Sequence, residues 1–138
     1  MAANTAPIYS RTPDVQWGAT ALATANTAKD GTGTVLTAFT ADATEGGRIE
    51  KLKVRAIGSN TATVLRVFIN NGSTNATPAN NVLYVEQTIA TTTLSEVAAQ
   101  VDNEVLLNLA LPAGYKINCT IGTTVAAGLM VCGVGGKY

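Results

Sequence analysis

Short runs in which apolar and polar residues alternate are the feature that most constrains this fold. Residues 48–57 show it most clearly, because Leu52 and Val54 alternate with Lys51 and Lys53. A period of two places successive side chains on opposite faces of an extended chain. The pattern therefore predicts β-strands that bury one face and expose the other.

About eight such segments follow one another, separated by turns rich in Gly, Asn and Asp. The predicted strands are residues 15–23, 34–40, 48–57, 61–70, 82–90, 104–109, 115–121 and 125–134. Residues 91–100 fit a loop or a short helix, and residues 135–138 are expected to trail off after the last strand. The strongest hairpin prediction joins residues 48–57 to residues 61–70 through Gly58-Ser59-Asn60.

Evenly spaced short strands without a long helix are typical of an all-β protein. We predict an antiparallel β-sandwich of about eight strands, jelly-roll-like in arrangement. An immunoglobulin-like sandwich is the alternative, but Trp17 precedes both cysteines, so the Cys-Trp-Cys order is missing.

The chain has 138 residues, the size of one domain. We predict an extended N-terminal arm over residues 1–14 and a single sandwich domain over residues 15–138. The first seven residues have neither a basic cluster nor an apolar run, so no signal peptide is expected. No apolar stretch reaches the length of a membrane span.

Charge is scarce on this chain. Charged residues make up 13% of it, hydrophobic residues 46%, and the formal net charge is zero. A surface with few ions is easily desolvated, and identical copies do not repel one another. We therefore expect self-assembly, although a surface of low charge also suits an isolated protein. Binding to nucleic acid is not expected, because phosphate neutralisation requires a basic face.

The chemical inventory argues against an enzyme. The chain contains no histidine, which removes Ser-His-Asp and Cys-His arrangements and the usual zinc sites. Most of the nine acidic residues fall in predicted turns, where solvated carboxylates are the simplest interpretation. We therefore predict no catalytic residue, no metal and no cofactor.

Three features leave alternatives open. Cys119 and Cys132 are expected to be reduced and buried, with a disulfide across a hairpin as the alternative. Trp17, the only tryptophan, is expected in the core, or else serves as an anchor on a partner. The third feature is a basic stripe of Lys51, Lys53 and Arg55, with Arg48 and Arg66 expected beside it. It is either a solvated strand face or a surface for an acidic partner. Glu50 and Glu86 are its expected counter-ions.

Residues 48–81, RIEKLKVRAIGSNTATVLRVFINNGSTNATPANN, and residues 109–124, LALPAGYKINCTIGTT, resemble small structural proteins of tailed bacteriophages. The nearest comparison is with capsid cement or decoration proteins. The resemblance implies a jelly-roll-like domain that trimerises and clamps adjacent subunits of the major capsid protein. It further implies synthesis in the host bacterial cytoplasm and a final location on the capsid surface of the virion.

The resemblance assigns no residue individually, so the partner-binding candidates come from the chain itself. They are Ile8, Tyr9 and Trp17 at the N-terminus, Asn71 and Asn75 in the loop 71–81, and, as a weaker candidate, the stripe Lys51, Lys53 and Arg55. Two other functions remain open. One is a tail or head–tail connector component, and the other is a carbohydrate- or receptor-binding module.

Overall fold

The computed structural model of the chain describes residues 10–138. These residues form eight β-strands and one short 3-10 turn, Pro78–Asn80. The strands in chain order are β1 (Thr12–Trp17), β2 (Leu36–Thr40), β3 (Gly47–Ala56), β4 (Thr63–Asn70), β5 (Asn81–Ile89), β6 (Asn103–Leu111), β7 (Lys116–Ile121) and β8 (Leu129–Lys137).

The strands form two four-stranded sheets packed face to face. Sheet A has the order β1-β8-β3-β6 and sheet B the order β2-β7-β4-β5, with every pairing antiparallel. This is the arrangement of a jelly roll, so the predicted fold class is confirmed. An immunoglobulin-like sandwich would instead place β2 between β1 and β5 in one sheet.

The core lies between the two sheets and is built by the alternation that the sequence shows. Leu52 and Val54 on β3 face Leu65, Val67 and their neighbours on sheet B, all fully buried. Ile49 also points inward although two residues separate it from Leu52, because the register of β3 shifts between Ile49 and Lys51. A β-bulge of this kind restores the alternation after an extra residue.

The predicted hairpin between residues 48–57 and 61–70 is wrong. The two segments are β3 and β4, and they lie in opposite sheets. Each has one apolar face, which is buried equally well by packing against a facing sheet as by lying beside another strand. Among the described strands, β4 and β5 are the one pair consecutive in sequence that is hydrogen-bonded.

The first and last strands of sheet A, β1 and β8, differ from their predicted bounds. β1 begins at Thr12, inside the segment predicted as an arm, and it ends at Trp17 rather than continuing to residue 23. β8 continues to Lys137, so residues 135–137 do not trail off. Gly135 fits there because a side chain would overlap the carbonyl of Arg48 on β3. A glycine in a strand often marks such a close approach.

Residues 24–35 cross the outer face of sheet B. The backbone N–H of Asn26 donates to the carbonyl of Ile121 on β7 (2.9 Å), and Asn81 on β5 donates to the carbonyl of Asp30 (3.2 Å). The loop therefore passes over β4, which lies between β7 and β5. Beneath it Phe68 is fully buried although it points away from the core.

The two cysteines lie in different environments. Cys119 on β7 points into the core, whereas Cys132 on β8 is half-buried on the outer face of sheet A. Both are free, so the disulfide alternative is wrong, and burial holds for Cys119 alone. Burial raises the pKa of the Cys119 thiol to about 12, because the thiolate would lose its hydration in the core.

Candidate interaction surface

The outer face of sheet A changes from apolar to charged across its width. Trp17 on β1 lies opposite Cys132 on β8, Cys132 lies opposite Lys53 on β3, and Lys53 lies opposite Glu104 on β6. Directly opposed residues of an antiparallel sheet point to the same side. The row therefore runs from an indole ring at one edge to an ion pair at the other.

The apolar half of this face is called the Trp17 surface. It consists of Val15, Trp17, Met130, Cys132 and Val134. Trp17 is 64% exposed and Val15 is 53% exposed. Two large apolar side chains next to each other on an open strand edge form one apolar area, which makes this edge a candidate interaction surface.

The expectation of core burial for Trp17 is wrong, and the alternation of β1 explains why. Asp14 and Gln16 occupy the inward positions, so Val15 and Trp17 must point outward. The Gln16 side chain donates to the Thr40 carbonyl (2.8 Å) and accepts from the Thr40 N–H (2.9 Å), which ties β1 to β2. A polar residue at the junction of the two sheets thus fixes the orientation of the tryptophan.

The charged half of the face is called the charge ladder: Lys51, Lys53, Arg55, Asp102 and Glu104. Lys53 Nζ lies 2.7 Å from Asp102 and 3.2 Å from Glu104, Lys51 lies 3.1 Å from Glu104, and Arg55 lies 3.2 Å from Asp102. Hydrogen bonds from the lysines lower the pKa of Asp102 and of Glu104. The hydrogen bonds that Lys53 donates to Asp102 and Glu104 raise the pKa of Lys53.

The ladder corrects several details predicted for the basic stripe. Its counter-ions are Asp102 and Glu104 rather than Glu50 and Glu86, because Glu86 pairs with Arg66 at 2.7 Å. Arg66 is on β4 in sheet B and so does not lie beside the stripe. With three cations and two carboxylates, the ladder keeps an excess of one positive charge.

A second apolar surface lies where residues 91–102 connect β5 to β6. This segment, called the Val97 loop, exposes Val97 (97%), Val101 (73%) and Leu94 (40%). Its first end is held by paired backbone hydrogen bonds of 2.9 Å between Thr92 and Asn60. The loop therefore has a fixed origin while its apolar side chains face solvent. It contains no helix, so of the two predictions for residues 91–100 the loop is confirmed.

The other partner-binding candidates are not brought to this face. Asn71 and Asn75 lie in the connection between β4 and β5, and their side chains hydrogen bond within the chain. Asn75 donates to the carbonyls of Gly31 (3.2 Å) and Gly33 (2.7 Å), which holds the loop that covers sheet B. Ile8 and Tyr9 lie outside the described residues.

Three shallow clefts of about 180 to 340 Å³ are lined mostly by Thr, Ala and Val side chains. Arg66 is the ionisable residue that reaches one of them, and its charge is compensated by Glu86. Within residues 10–138 there is no group of three or more Cys, Asp or Glu side chains placed to hold a metal ion. No helix in that part of the chain is long and apolar enough to cross a membrane.

Comparison of the chain with protein-family models, with curated proteins and with solved structures found no match. Any function assigned to the chain therefore depends on the surfaces described above.

Sequence reasoning named Trp17 and the basic stripe as partner-binding candidates, although it expected Trp17 in the core, and it missed the Val97 loop and Leu106, which is 67% exposed on β6. Leu94, Val97 and Val101 have the i, i+3, i+7 spacing of a helix face. That spacing is compatible with a short helix that buries one side, so no pattern in the sequence marked these side chains as exposed in a loop.

Proposed function

We propose that this protein is a non-enzymatic structural component of a bacteriophage virion, a capsid cement protein that assembles and docks through the outer face of sheet A. The observation that carries the proposal is the Trp17 surface, an uncharged apolar area with an indole that is 64% exposed. Tryptophan is enriched among the residues that dominate binding energy at protein interfaces.

The remaining properties of the chain support the same function. The jelly roll is a fold common to viral capsid proteins and lectins, although a fold alone does not establish function. The chain lacks histidine and has a net charge of zero, which suits a protein that acts by contact with other subunits. The resemblance of residues 48–81 and 109–124 to decoration proteins adds to this support.

The mechanism of a cement protein is thermodynamic linkage. A protein that binds the expanded capsid lattice and not its dissociated subunits stabilises the lattice by RT ln(1 + [L]/Kd) at each occupied site. An oligomer that reaches several capsid subunits at once gains avidity as well, by a factor of roughly 10² to 10⁴. Modest contacts in each copy then suffice for tight decoration.

The test is binding to capsids of the phage that encodes the chain, stripped of this protein and separated by sedimentation after mixing. We expect the wild type to co-sediment and Trp17→Asp to remain in the supernatant. Tyr84→Asp is the matched control, because Tyr84 is an exposed aromatic residue on β5 in sheet B. If wild-type protein does not co-sediment, or if Trp17→Asp binds as well as Tyr84→Asp, the proposal is wrong.

The exposed indole also fits a carbohydrate-binding module, in which aromatic rings stack on sugars. Among the described residues, the other exposed aromatic side chain, Tyr84, lies on the opposite sheet, so the two do not form one platform. Quenching of Trp17 fluorescence by glycans, with no co-sedimentation on capsids, would favour the carbohydrate-binding function instead.

A further inference from the structure

Asn71 is the one asparagine of this chain that is followed by a glycine. The backbone nitrogen that follows an asparagine can attack the carbon of its side-chain amide, and a glycine there has no side chain to hinder the approach. Asn71 and Gly72 are both exposed to solvent in the connection between β4 and β5. This pair of residues is therefore a candidate site of covalent modification.

Hydrogen bonds hold the Asn71 side chain over the backbone that would attack it. Its Oδ1 accepts from the N–H of Ser73 (3.1 Å), and its Nδ2 donates to Oδ1 of Asn80 (3.1 Å). A bond from the N–H two residues on folds an asparagine side chain over the intervening peptide group, here that of Gly72. The Ser73 N–H also points at the oxygen that becomes negatively charged when Cγ is attacked. A donor in that position stabilises the developing charge.

One contact opposes the reaction. The N–H of Gly72 donates to Oδ1 of the buried Asn70 (2.8 Å), and this proton must leave before the nitrogen can attack. Gly72 itself is exposed, so hydroxide from solvent reaches the proton once that bond opens. The rate of the reaction should therefore rise with the concentration of hydroxide.

We infer that Asn71 deamidates spontaneously in the folded protein and that the change loosens the loop 24–35 over sheet B. The Gly72 nitrogen, after losing its proton to hydroxide, forms a bond to Cγ of Asn71. The bond from Cγ to Nδ2 breaks, and ammonia leaves with a proton taken from water. Water then opens the resulting succinimide ring. Opening at Cγ gives aspartate, opening at the main-chain carbonyl carbon gives isoaspartate, and the net reaction consumes one water and releases one ammonia.

The carboxylate of either product cannot reproduce the contacts of the amide. An oxygen in place of Nδ2 of Asn71 faces Oδ1 of Asn80, so two acceptors meet without a proton between them. Rotation of the Asn80 amide does not relieve this, because its Nδ2 donates to the carbonyl of Thr74 (2.8 Å). Isoaspartate also lengthens the main chain by one carbon, next to the bond from the Asn71 N–H to the Asn80 carbonyl (3.0 Å).

The connection 71–80 is also one of the anchors of the loop 24–35. Within this connection Asn75 donates to the carbonyls of Gly31 (3.2 Å) and Gly33 (2.7 Å). Loss of the contacts between Asn71 and the other end of the connection lets Asn75 move, which weakens both bonds. A change at an exposed asparagine is thereby transmitted to the segment that covers sheet B.

Incubation of the full-length protein at pH 8 tests the chemistry. We expect release of ammonia, a new species with a pI below the starting value of about 6.2, and aspartate and isoaspartate at position 71 in a peptide map. The new species should form more slowly at pH 6. Asn71→Gln is expected to abolish it, because the longer side chain would have to close a larger ring. Asn75→Gln is the matched control, since Asn75 lies in the same connection but precedes an alanine, and it should react as the wild type does.

Trypsin cleavage after the exposed Lys29 tests the effect on the loop. The deamidated fraction, separated by ion exchange, should be cleaved faster than the unreacted fraction. Asn71→Asp should show part of this effect, because it introduces the carboxylate without lengthening the main chain. Circular dichroism checks that each sample is folded.

The outcomes are separate from those of the proposed function, because no capsid enters either measurement. A wild type that forms no acidic species, or forms it by reaction at another asparagine, overturns the assignment of the site. Equal cleavage of the deamidated and unreacted fractions overturns the effect on the loop. Failure of the protein to bind capsids would leave both parts of the inference standing.

Discussion

At the scale of single residues, side-chain amides replace backbone groups at strand ends that have no neighbouring strand. Gln16 exchanges two hydrogen bonds with the backbone of Thr40, and Gln100 does the same with Ala56. A primary amide has the same donor and acceptor as a peptide group, so it satisfies strand ends that have no neighbouring strand. The chain thus ties its loops and sheet junctions with few charges.

Removing one of these amides should lower the free energy of unfolding by more than the small size of the group implies. Gln16→Ala leaves the N–H and the carbonyl of Thr40 without their partner, and we expect the free energy of unfolding to fall by about 1–3 kcal/mol. Gln87→Ala is the control, because Gln87 is also half-buried but makes no side-chain hydrogen bond to any of residues 10–138. Urea unfolding measures both, and equal losses would contradict the role given to Gln16.

At the scale of secondary-structure elements, the charge ladder joins β3 to the start of β6. The pKa of Asp102 is lowered from its ordinary value of 3.8 and that of Glu104 from 4.5. A carboxyl group with a lowered pKa in the folded state contributes stability above its ordinary pKa. That contribution is lost as the pH falls through the folded value. For Lys53, whose pKa is raised above 10.5, the contribution is lost at high pH instead.

The ladder therefore predicts a pH dependence of stability. Between pH 6 and pH 3, the urea midpoint of the wild type should fall more than that of the double variant Asp102→Asn, Glu104→Gln, because the variant has no ladder carboxylates to protonate. Glu96→Gln serves as the control, since this exposed residue makes no ion pair with the described part of the chain. Parallel profiles for wild type and double variant would show that the ladder contributes nothing.

Residues 24–35 form a cover rather than a simple connection. Gly31 has φ +79°, and a Cβ there would lie 2.6 Å from Cβ of Asn81, so this glycine allows the loop to approach β5. Gly114 has a similar φ of +76°, but nothing lies within 4 Å of the position of its Cβ. Alanine would thus strain the backbone at either position, but only at position 31 would its Cβ also overlap another residue.

Alanine at these two positions should separate the two effects. Gly114→Ala is expected to cost roughly 1–2 kcal/mol, the penalty for a left-handed conformation in a residue with a Cβ. Gly31→Ala should cost more, because it also pushes the loop away from Asn81. Trypsin cleavage at the exposed Lys29 gives the measurement, and it should accelerate in Gly31→Ala and not in Gly114→Ala. Equal cleavage rates would contradict the covering role of the loop.

At the scale of the whole molecule, the strands could be predicted but their partners could not. The alternation of Leu52 and Val54 with lysines identified β3 and its buried face, since that pattern is local. Whether β3 lies beside β4 or across the core from it depends on contacts between residues distant in sequence. Both arrangements bury the same side chains, so the local pattern does not distinguish them. The predicted last strand ended at residue 134 because consecutive glycines are typical of an irregular end. In the structure Gly135 and Gly136 belong to β8 and pair with β1 and β3.

The interaction surface, too, could be predicted from the sequence only where its residues form a local pattern. The basic stripe was predictable because its residues are consecutive on one strand face, but its counter-ion Asp102 lies outside the predicted strands. The exposure of Trp17 depends on Gln16 bonding to Thr40, which alternation within β1 does not reveal. The apolar residues of the Val97 loop have the spacing of a helix face, and only the folded chain shows that they lie in a loop with anchored ends.

The position of β8 has a consequence for biosynthesis. The last of the eight described strands in chain order, β8, is an interior strand of sheet A, hydrogen-bonded to both β1 and β3. Sheet A is therefore incomplete until Lys137 has left the ribosome, and at about 5–20 residues per second the earlier strands wait for seconds with open edges. Those edges can pair wrongly in nascent chains on neighbouring ribosomes.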